Sequence, residues 1–164
     1  MEWTNTERVL EEFGAYFRNL LQDRIIEEDM IASGELLNDL DYVIDAGENQ
    51  WTVSVKIKDY FKYIDEGTEG PYKGSKGGTT LRDAIKKWIS VKPVLPEVDS
   101  NGKLPTVDQL AFLISRKIAR DGIEGREIWE PTVKEAVDMY EQKLGDAILD
   151  DLGEDIERVL MEIY

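Results

Sequence analysis

The chain contains neither cysteine nor histidine. The first absence removes disulfides, thiolate nucleophiles and cysteine-based zinc sites. The second removes the imidazole base and the commonest metal ligand. An enzyme of this composition would have to work with Asp, Glu, Lys, Tyr or Ser, and no cofactor is implied. No apolar run approaches the roughly 18 residues of a membrane-spanning helix, so no membrane partner is expected. Proline is scarce, and three of the five (Pro93, Pro96 and Pro105) fall in one stretch. Positive charge is also short: 20 Lys and Arg stand against 35 Asp and Glu, a net −15 over 164 residues. An acidic body repels phosphate, which disfavours general nucleic-acid binding.

What is present suits a globular chain. Apolar residues make up 41%, and the length fits one domain, 1–164, with a core of its own. The opening MEWTNTERVLEEF is acidic and amphipathic, whereas a secretory signal starts basic and turns apolar. The reading keeps the chain in the compartment where it is made. Charge is unevenly placed along the sequence. Residues 1–55 carry 13 acids and 3 bases, 56–92 carry 5 and 9, and 93–164 carry 17 and 8. A basic middle between acidic ends is either solvated surface or a patch that faces acidic surface on another copy.

Periodicity predicts an α+β fold. Thr4-x-x-Glu7 has the form of a capping box, and Val9, Leu10, Phe13, Phe17, Leu20, Leu21 and Ile25 recur at helical spacing, so a long helix is expected from about 5 to 30. Leu36, Leu40, Tyr42 and Ile44 alternate with Asp39, Asp41 and Asp45. After the turn AGENQ, Trp51, Val53, Val55 and Ile57 alternate with Thr52, Ser54, Lys56 and Lys58. The two runs predict an antiparallel hairpin or small sheet that needs helix 1, or another chain, across its apolar face. Several helices follow. Thr80 is placed to cap LRDAIKKWISV, with Leu81, Ala84, Ile85, Trp88 and Ile89 on one side and Trp88 in the core. Residues 93–105 are a loop. Thr106 is placed to cap a helix that carries Val107, Leu110, Leu113, Ile114 and Ile118 on one stripe and stops at Gly122. Pro131 suits a first helical turn. The remainder is helical, a C-terminal extension at about 145–164 included, with Gly145 and Gly153 expected to split it.

The stretch YFKYIDEGTEGPYKGSKGGTT, 60–80, carries the strongest chemical suggestion, and it fails each test for chemistry. A phosphate-cradling loop needs G-x4-G-K-[ST], but Gly74 follows Gly70 one residue too early and Ser75 intervenes before Lys76. Asp65 and Glu66 are adjacent, so they diverge by about 100° on a helix and point to opposite faces of a strand. A general acid–base pair must converge. Glu27-Glu28-Asp29 and Asp150-Asp151 are read as helix surface. Asp99-Ser100-Asn101-Gly102 lacks the full order and distal Glu of a calcium loop. Tyr60, Phe61, Tyr63 and Ile64 are read as a short element anchored on the core and ended by a turn at Gly67. Residues 68–80 are then a loop, mobile in the isolated chain. Trp129, beside Pro131 in a charged break, suits a core or a contact surface.

Four segments in order resemble one family, the tail-completion or head–tail connector proteins of tailed double-stranded-DNA bacteriophages. SGELLNDLDY at 33–42 is similar to the [ST]-G-x-L segment after that family's first helix. YFKYIDEGT at 60–68 is similar to Y-x-x-Y-[VI]-E-x-G-T. LRDAIKKWISVK at 81–92 is similar to its tryptophan-centred helix before a basic turn. QLAFLISRKIARDGIEGREIWEPTVKEA at 109–136 is similar to an apolar–basic helix followed by Ile-Ala-x-x-Gly, an extended piece, an aromatic and Pro-Ala. Here Pro131-Thr132 stands in place of Pro-Ala, and the family's histidine after Gly-Thr-x-Pro is absent. The resemblance spans about residues 5–145.

It implies a structural virion protein, made in the host cytoplasm and placed in the neck between portal and tail as a ring of six or twelve copies. It implies contacts with portal, adjacent connector or tail proteins, passing contact with genomic DNA, and no catalysis. Lys73, Lys76, Lys86 and Lys87, with Trp129, are the expected interface residues, the lysines facing acidic surface such as Glu27, Glu28 and Asp29 or Asp150 and Asp151 on a neighbour. The alternative is an acidic soluble binder that mimics nucleic acid or regulates a partner as a monomer or dimer. A metal-dependent hydrolase using clustered carboxylates is a third and weaker option.

Overall fold

The computed structural model describes residues 3–30, 34–47, 50–69, 81–92, 94, 96 and 102–163. The order is α1 (Thr4–Glu27), α2 (Glu35–Asn38), β1 (Asp41–Ala46), β2 (Trp51–Lys56), α3 (Phe61–Asp65), β3 (Gly67–Glu69), α4 (Leu81–Val91), α5 (Val107–Asp121), β4 (Gly122–Glu124) and α6 (Trp129–Ile163). The fold is α+β, with a long first helix, an antiparallel hairpin and then further helices. The chain divides into two compact units. One holds 1–29, 39–58 and 127–164; the other holds 30–38 and 59–126.

In the first unit α1 packs on α6. The helices run antiparallel: Asp151 meets Asn5 and Thr6 at the start of α1, and Glu135 meets Arg24 near its end at 2.5 Å. Large residues of α1 sit over small ones of α6. Val9, Leu10, Phe17, Leu21 and Ile25 are buried on one helix, and Thr132, Ala136 and Ala147 on the other. Phe17 meets Trp129 edge to face at 5.4 Å, and Phe13 meets Tyr140 at 5.8 Å. α6 is continuous over 35 residues, so Gly145 and Gly153 do not split it. Each glycine costs only about 1 kcal/mol against alanine, too little to break a helix of this length. Pro131 sits in the first turn as expected.

The hairpin pairs Tyr42 with Val55, Ile44 with Val53 and Ala46 with Trp51. Its turn is closed by the Gly47 amide donating to the Gln50 carbonyl at 2.8 Å. β2 alternates half-buried and exposed in the predicted phase. The first strand is shorter than the alternation suggested, because residues 35–38 form α2. Leu36 and Leu40 are both buried, and a spacing of four satisfies period 2 and period 3.6 alike. Gly34, at φ +81°, turns the chain and its carbonyl accepts from Leu37 and Asn38.

α1 also lies on the hairpin, and Gly14 makes the contact. A Cβ there would stand 2.4 Å from the Tyr42 ring. The Tyr42 hydroxyl donates to the Glu11 carboxylate at 3.0 Å, and the Arg18 guanidinium lies 5.8 Å from the ring centre. The predicted capping box does not form at Thr4: the N-cap is Trp3, with no side-chain cap of its own.

The second unit is held by a two-stranded sheet, β3 on β4, and by α4 against α5. Gly67 has φ +77° and ends α3, as expected. Any Cβ on Gly67 would meet the Ile123 carbonyl at 2.4 Å, and one on Gly125 would meet the Asp65 carbonyl at 2.5 Å. Of the expected anchors only Phe61 is buried; Tyr60 and Tyr63 are exposed, because residues 61–65 form a helical turn that shows one face inward. Thr106 and Gln109 form a reciprocal capping box at the start of α5, and Gly122 ends it at φ +81°. Trp88 is not core: it is 37% exposed, and Ile89 is the buried residue of α4. On α5 the buried residue is Ala111, while Val107 and Leu113 of the predicted stripe are exposed. The apolar stripe of α5 thus turns partly outward.

Candidate interaction surfaces

Of the expected interface residues, Lys73 and Lys76 lie outside the described residues, as do residues 70–80 of the predicted loop, among them Thr80, the expected cap of α4. Residues 68–69 belong to β3 rather than to a loop, because they pair with β4. Lys86 is engaged within its own chain. Its ammonium and the Arg82 guanidinium both pair with the Asp108 carboxylate across α4 and α5. The Lys86 hydrogen bond, with the two positive charges, holds the Asp108 carboxyl below its ordinary value. Lys87 is exposed and makes no ion pair among the described residues. Trp129 is half-buried against Phe17.

The α4–α5 pair presents a mixed basic and apolar face. Asp108, Phe112 and Arg116 follow at four-residue steps and so share one face of α5. Phe112 is 46% exposed and Leu113 56%, and the Arg82 guanidinium lies 5.5 Å from the Phe112 ring centre. α4 with Lys92 and α5 together carry seven bases (Arg82, Lys86, Lys87, Lys92, Arg116, Lys117 and Arg120) and three acids.

Charge also divides between the units. The first unit holds 24 acids and 8 bases, a net −16; the second holds 11 acids and 12 bases, a net +1. Glu27, Glu28, Asp29 and Asp150 are exposed in the acidic unit. Asp151 is not surface, as had been read, but 2% exposed. Its carboxylate accepts from the Asn5 amide at 3.0 Å, the Thr6 amide at 2.8 Å and the Thr6 hydroxyl at 2.6 Å. Burial pushes the Asp151 carboxyl up, but the hydrogen bonds from Thr6 and Asn5 outweigh it and hold the group below its ordinary value.

The acidic unit also has an apolar cavity of about 360 Å³ between α1 and α6, lined by Val9, Leu10, Phe13, Val137, Leu144 and Ile148. Its polar neighbours are the Tyr140 side chain and Glu141. These do not make a nucleophile with its base. Beyond Asp151, α6 continues for three turns with Ile156, Val159, Leu160 and Met161 exposed. Among the described residues no three acidic side chains stand close enough to share a metal ion, and no helix is long and apolar enough to cross a membrane.

No family model, no curated protein and no solved structure matches the chain. The residues that organise these surfaces were mostly not visible as motifs. Asp151 acts across 145 positions of sequence. Neither Gly14 nor Gly125 stands in a motif that singles it out.

Proposed function

We propose that the chain is a non-catalytic structural protein of a phage neck, forming part of a ring of six or twelve copies that joins the portal and head to the tail. The observation that carries this reading is the division of charge between compact units, −16 against +1. A ring built by a heterologous contact sets one patch of each copy on a different patch of the next, and two units of unequal charge supply such a pair. Exposed apolar side chains on α4 and α5, beside cations, suit a contact surface with an apolar centre and charged rim. The four sequence segments that resemble connector proteins point the same way. An acidic lumen would let DNA pass without adhering.

The acidic unit also suits the second reading, a soluble binder that mimics nucleic acid. Electron microscopy of particles carrying a tagged copy separates the two. Label at the neck, with ring-shaped assemblies of the purified chain or of the chain mixed with portal, is the expected result. Absence from particles, together with a monomer or dimer that binds a basic protein, would establish the binder instead.

A further inference from the structure

We propose that the last three turns of α6 dock on the α4–α5 face of a neighbouring copy. The inference rests on the ring reading and names the contact that would build the ring. α6 runs twelve residues past Asp151, about 18 Å of helix, beyond the point where it caps α1. On this overhang Ile156, Val159 and Leu160 are 60%, 49% and 54% exposed. Their i, i+3, i+4 spacing is that of a helix that presents anchors to another surface. Residues 152–163 carry Glu154, Asp155, Glu157 and Glu162 against Arg158, a net −3.

Such a helix could meet either of the two apolar surfaces described above, and charge decides between them. The α1–α6 cavity belongs to the unit of net −16 and has Glu141 on its lining. An acidic helix is repelled there. The α4–α5 pair exposes Phe112 and Leu113 on α5, with Arg82, Lys86, Lys87 and Arg116 on the same two helices; Asp108 already engages Arg82 and Lys86, and the net charge of the pair is still positive. Ile156, Leu160, Phe112 and Leu113 are all exposed. Under the ring reading every copy carries both an acidic overhang and a basic, apolar α4–α5 pair, so a second copy supplies the partner. The apolar anchors provide the affinity, and the lysines and arginines set orientation and exclude the wrong surface.

The lack of native cysteine makes the test direct. Leu160→Cys and Phe112→Cys variants are purified separately, mixed and oxidised, and dimers are separated by mass. The mixed pair should give a disulfide-linked heterodimer in several-fold excess over homodimers of either variant. Adding Ile156→Asp to the Leu160→Cys chain should cut that yield about tenfold, the loss expected for one anchor, while circular dichroism stays unchanged. Homodimers of Leu160→Cys in excess would mean tail-on-tail pairing and would overturn the proposal, as would no excess of the mixed product. A linked monomer from the Leu160→Cys/Phe112→Cys double variant would place the contact within one chain and also overturn it. Sedimentation of the unmodified protein, alone and with portal, keeps the two readings apart. Ring-sized species without the mixed crosslink retain the ring and remove this contact; neither ring nor crosslink removes both.

Discussion

The Asp151 carboxylate, far along α6, caps the first turn of α1 by accepting from the Thr6 amide at 2.8 Å and the Thr6 hydroxyl at 2.6 Å. The first amides of a helix have no partner within it, and α1 offers no capping side chain of its own. A residue of the last helix therefore completes the first. Asp151→Ala leaves these buried donors unsatisfied and should lower stability by about 1–3 kcal/mol in urea unfolding. Asp150→Asn, one residue away and exposed, should stay within about 0.5 kcal/mol of the parent. Equal effects at the two positions would remove the cap.

The same contact predicts a pH dependence. The Asp151 carboxyl lies below its ordinary value in the folded chain. Such a group contributes stability that is present above the unfolded value of about 4 and is lost as pH falls through the folded value. Asp151→Asn cannot lose that proton-linked part. The stability gap between the parent and Asp151→Asn should thus be widest near pH 7 and narrow steadily below about pH 4. A gap that is constant across this range would show that the charge of Asp151 contributes nothing.

Gly14 should reverse the usual rule for a helix interior. Replacing glycine by alanine there normally stabilises by about 1 kcal/mol. Here the new Cβ would stand 2.4 Å from the Tyr42 ring, which is tethered through its hydroxyl to Glu11. Gly14→Ala alone should destabilise. In a Tyr42→Ala background, where the ring is gone, the same change should stabilise by about 0.5–1 kcal/mol. A double-mutant cycle in which Gly14→Ala keeps one sign in both backgrounds would show that α1 does not rest on the hairpin at this point.

The parts of the fold set by local periodicity were legible, and the parts set by meetings of distant segments were not. β2 reads directly from Trp51, Val53 and Val55, and the cap of α5 from Thr106, because each signal lies within a few residues. Leu36 and Leu40 misled, since their spacing fits a strand or a helix. Trp88 misled differently: its stripe was found, but only contact with α5 decides which side is buried, and Ile89 took that place. Asp150 and Asp151 look identical in sequence and differ wholly in burial. Among the candidate surface residues, Lys86 and Lys87 were found by charge alone, which could not show that Lys86 already has Asp108 as a partner.

Gly67 and Gly125 allow two backbones to meet where β3 begins and β4 ends. Gly67→Ala would combine a left-handed backbone with a Cβ 2.4 Å from the Ile123 carbonyl. It should cost at least about 2 kcal/mol. Gly125→Ala strikes the Asp65 carbonyl at 2.5 Å and should cost a similar amount. Gly102→Ala is the informative control: its φ is +74° but nothing lies within 4 Å, so only the conformational part, about 1–2 kcal/mol, applies. Trp88 reports on this unit when Trp3, Trp51 and Trp129 are replaced by Phe. Loss of its folded signal at lower urea in Gly67→Ala and Gly125→Ala, and less so in Gly102→Ala, is expected. Equal shifts in all three would show that the close approach of the strands contributes nothing.

Lys86 and Lys87 are neighbours in sequence with different tasks, and charge reversal should separate them. Lys86 joins Arg82 on Asp108 across α4 and α5, so Lys86→Glu puts a like charge against that carboxylate and should lower the melting temperature of the single chain. Lys87 makes no ion pair among the described residues, so Lys87→Glu should leave the melting temperature unchanged. Under the proposed ring reading, Lys87→Glu should nevertheless weaken association of copies, because the cation faces the acidic partner. Such rim charges act over a Debye length of roughly 8–10 Å, so the defect should be clearest at low ionic strength and fade as salt is added. The measurement is sedimentation velocity of the parent, Lys86→Glu and Lys87→Glu at two salt concentrations, beside thermal melts of each. A Lys87→Glu chain that melts and associates as the parent does at both salts would mean that Lys87 is only solvated. Restoration of its assembly by a compensating Glu157→Lys change on the partner copy would place the tail of α6 opposite it.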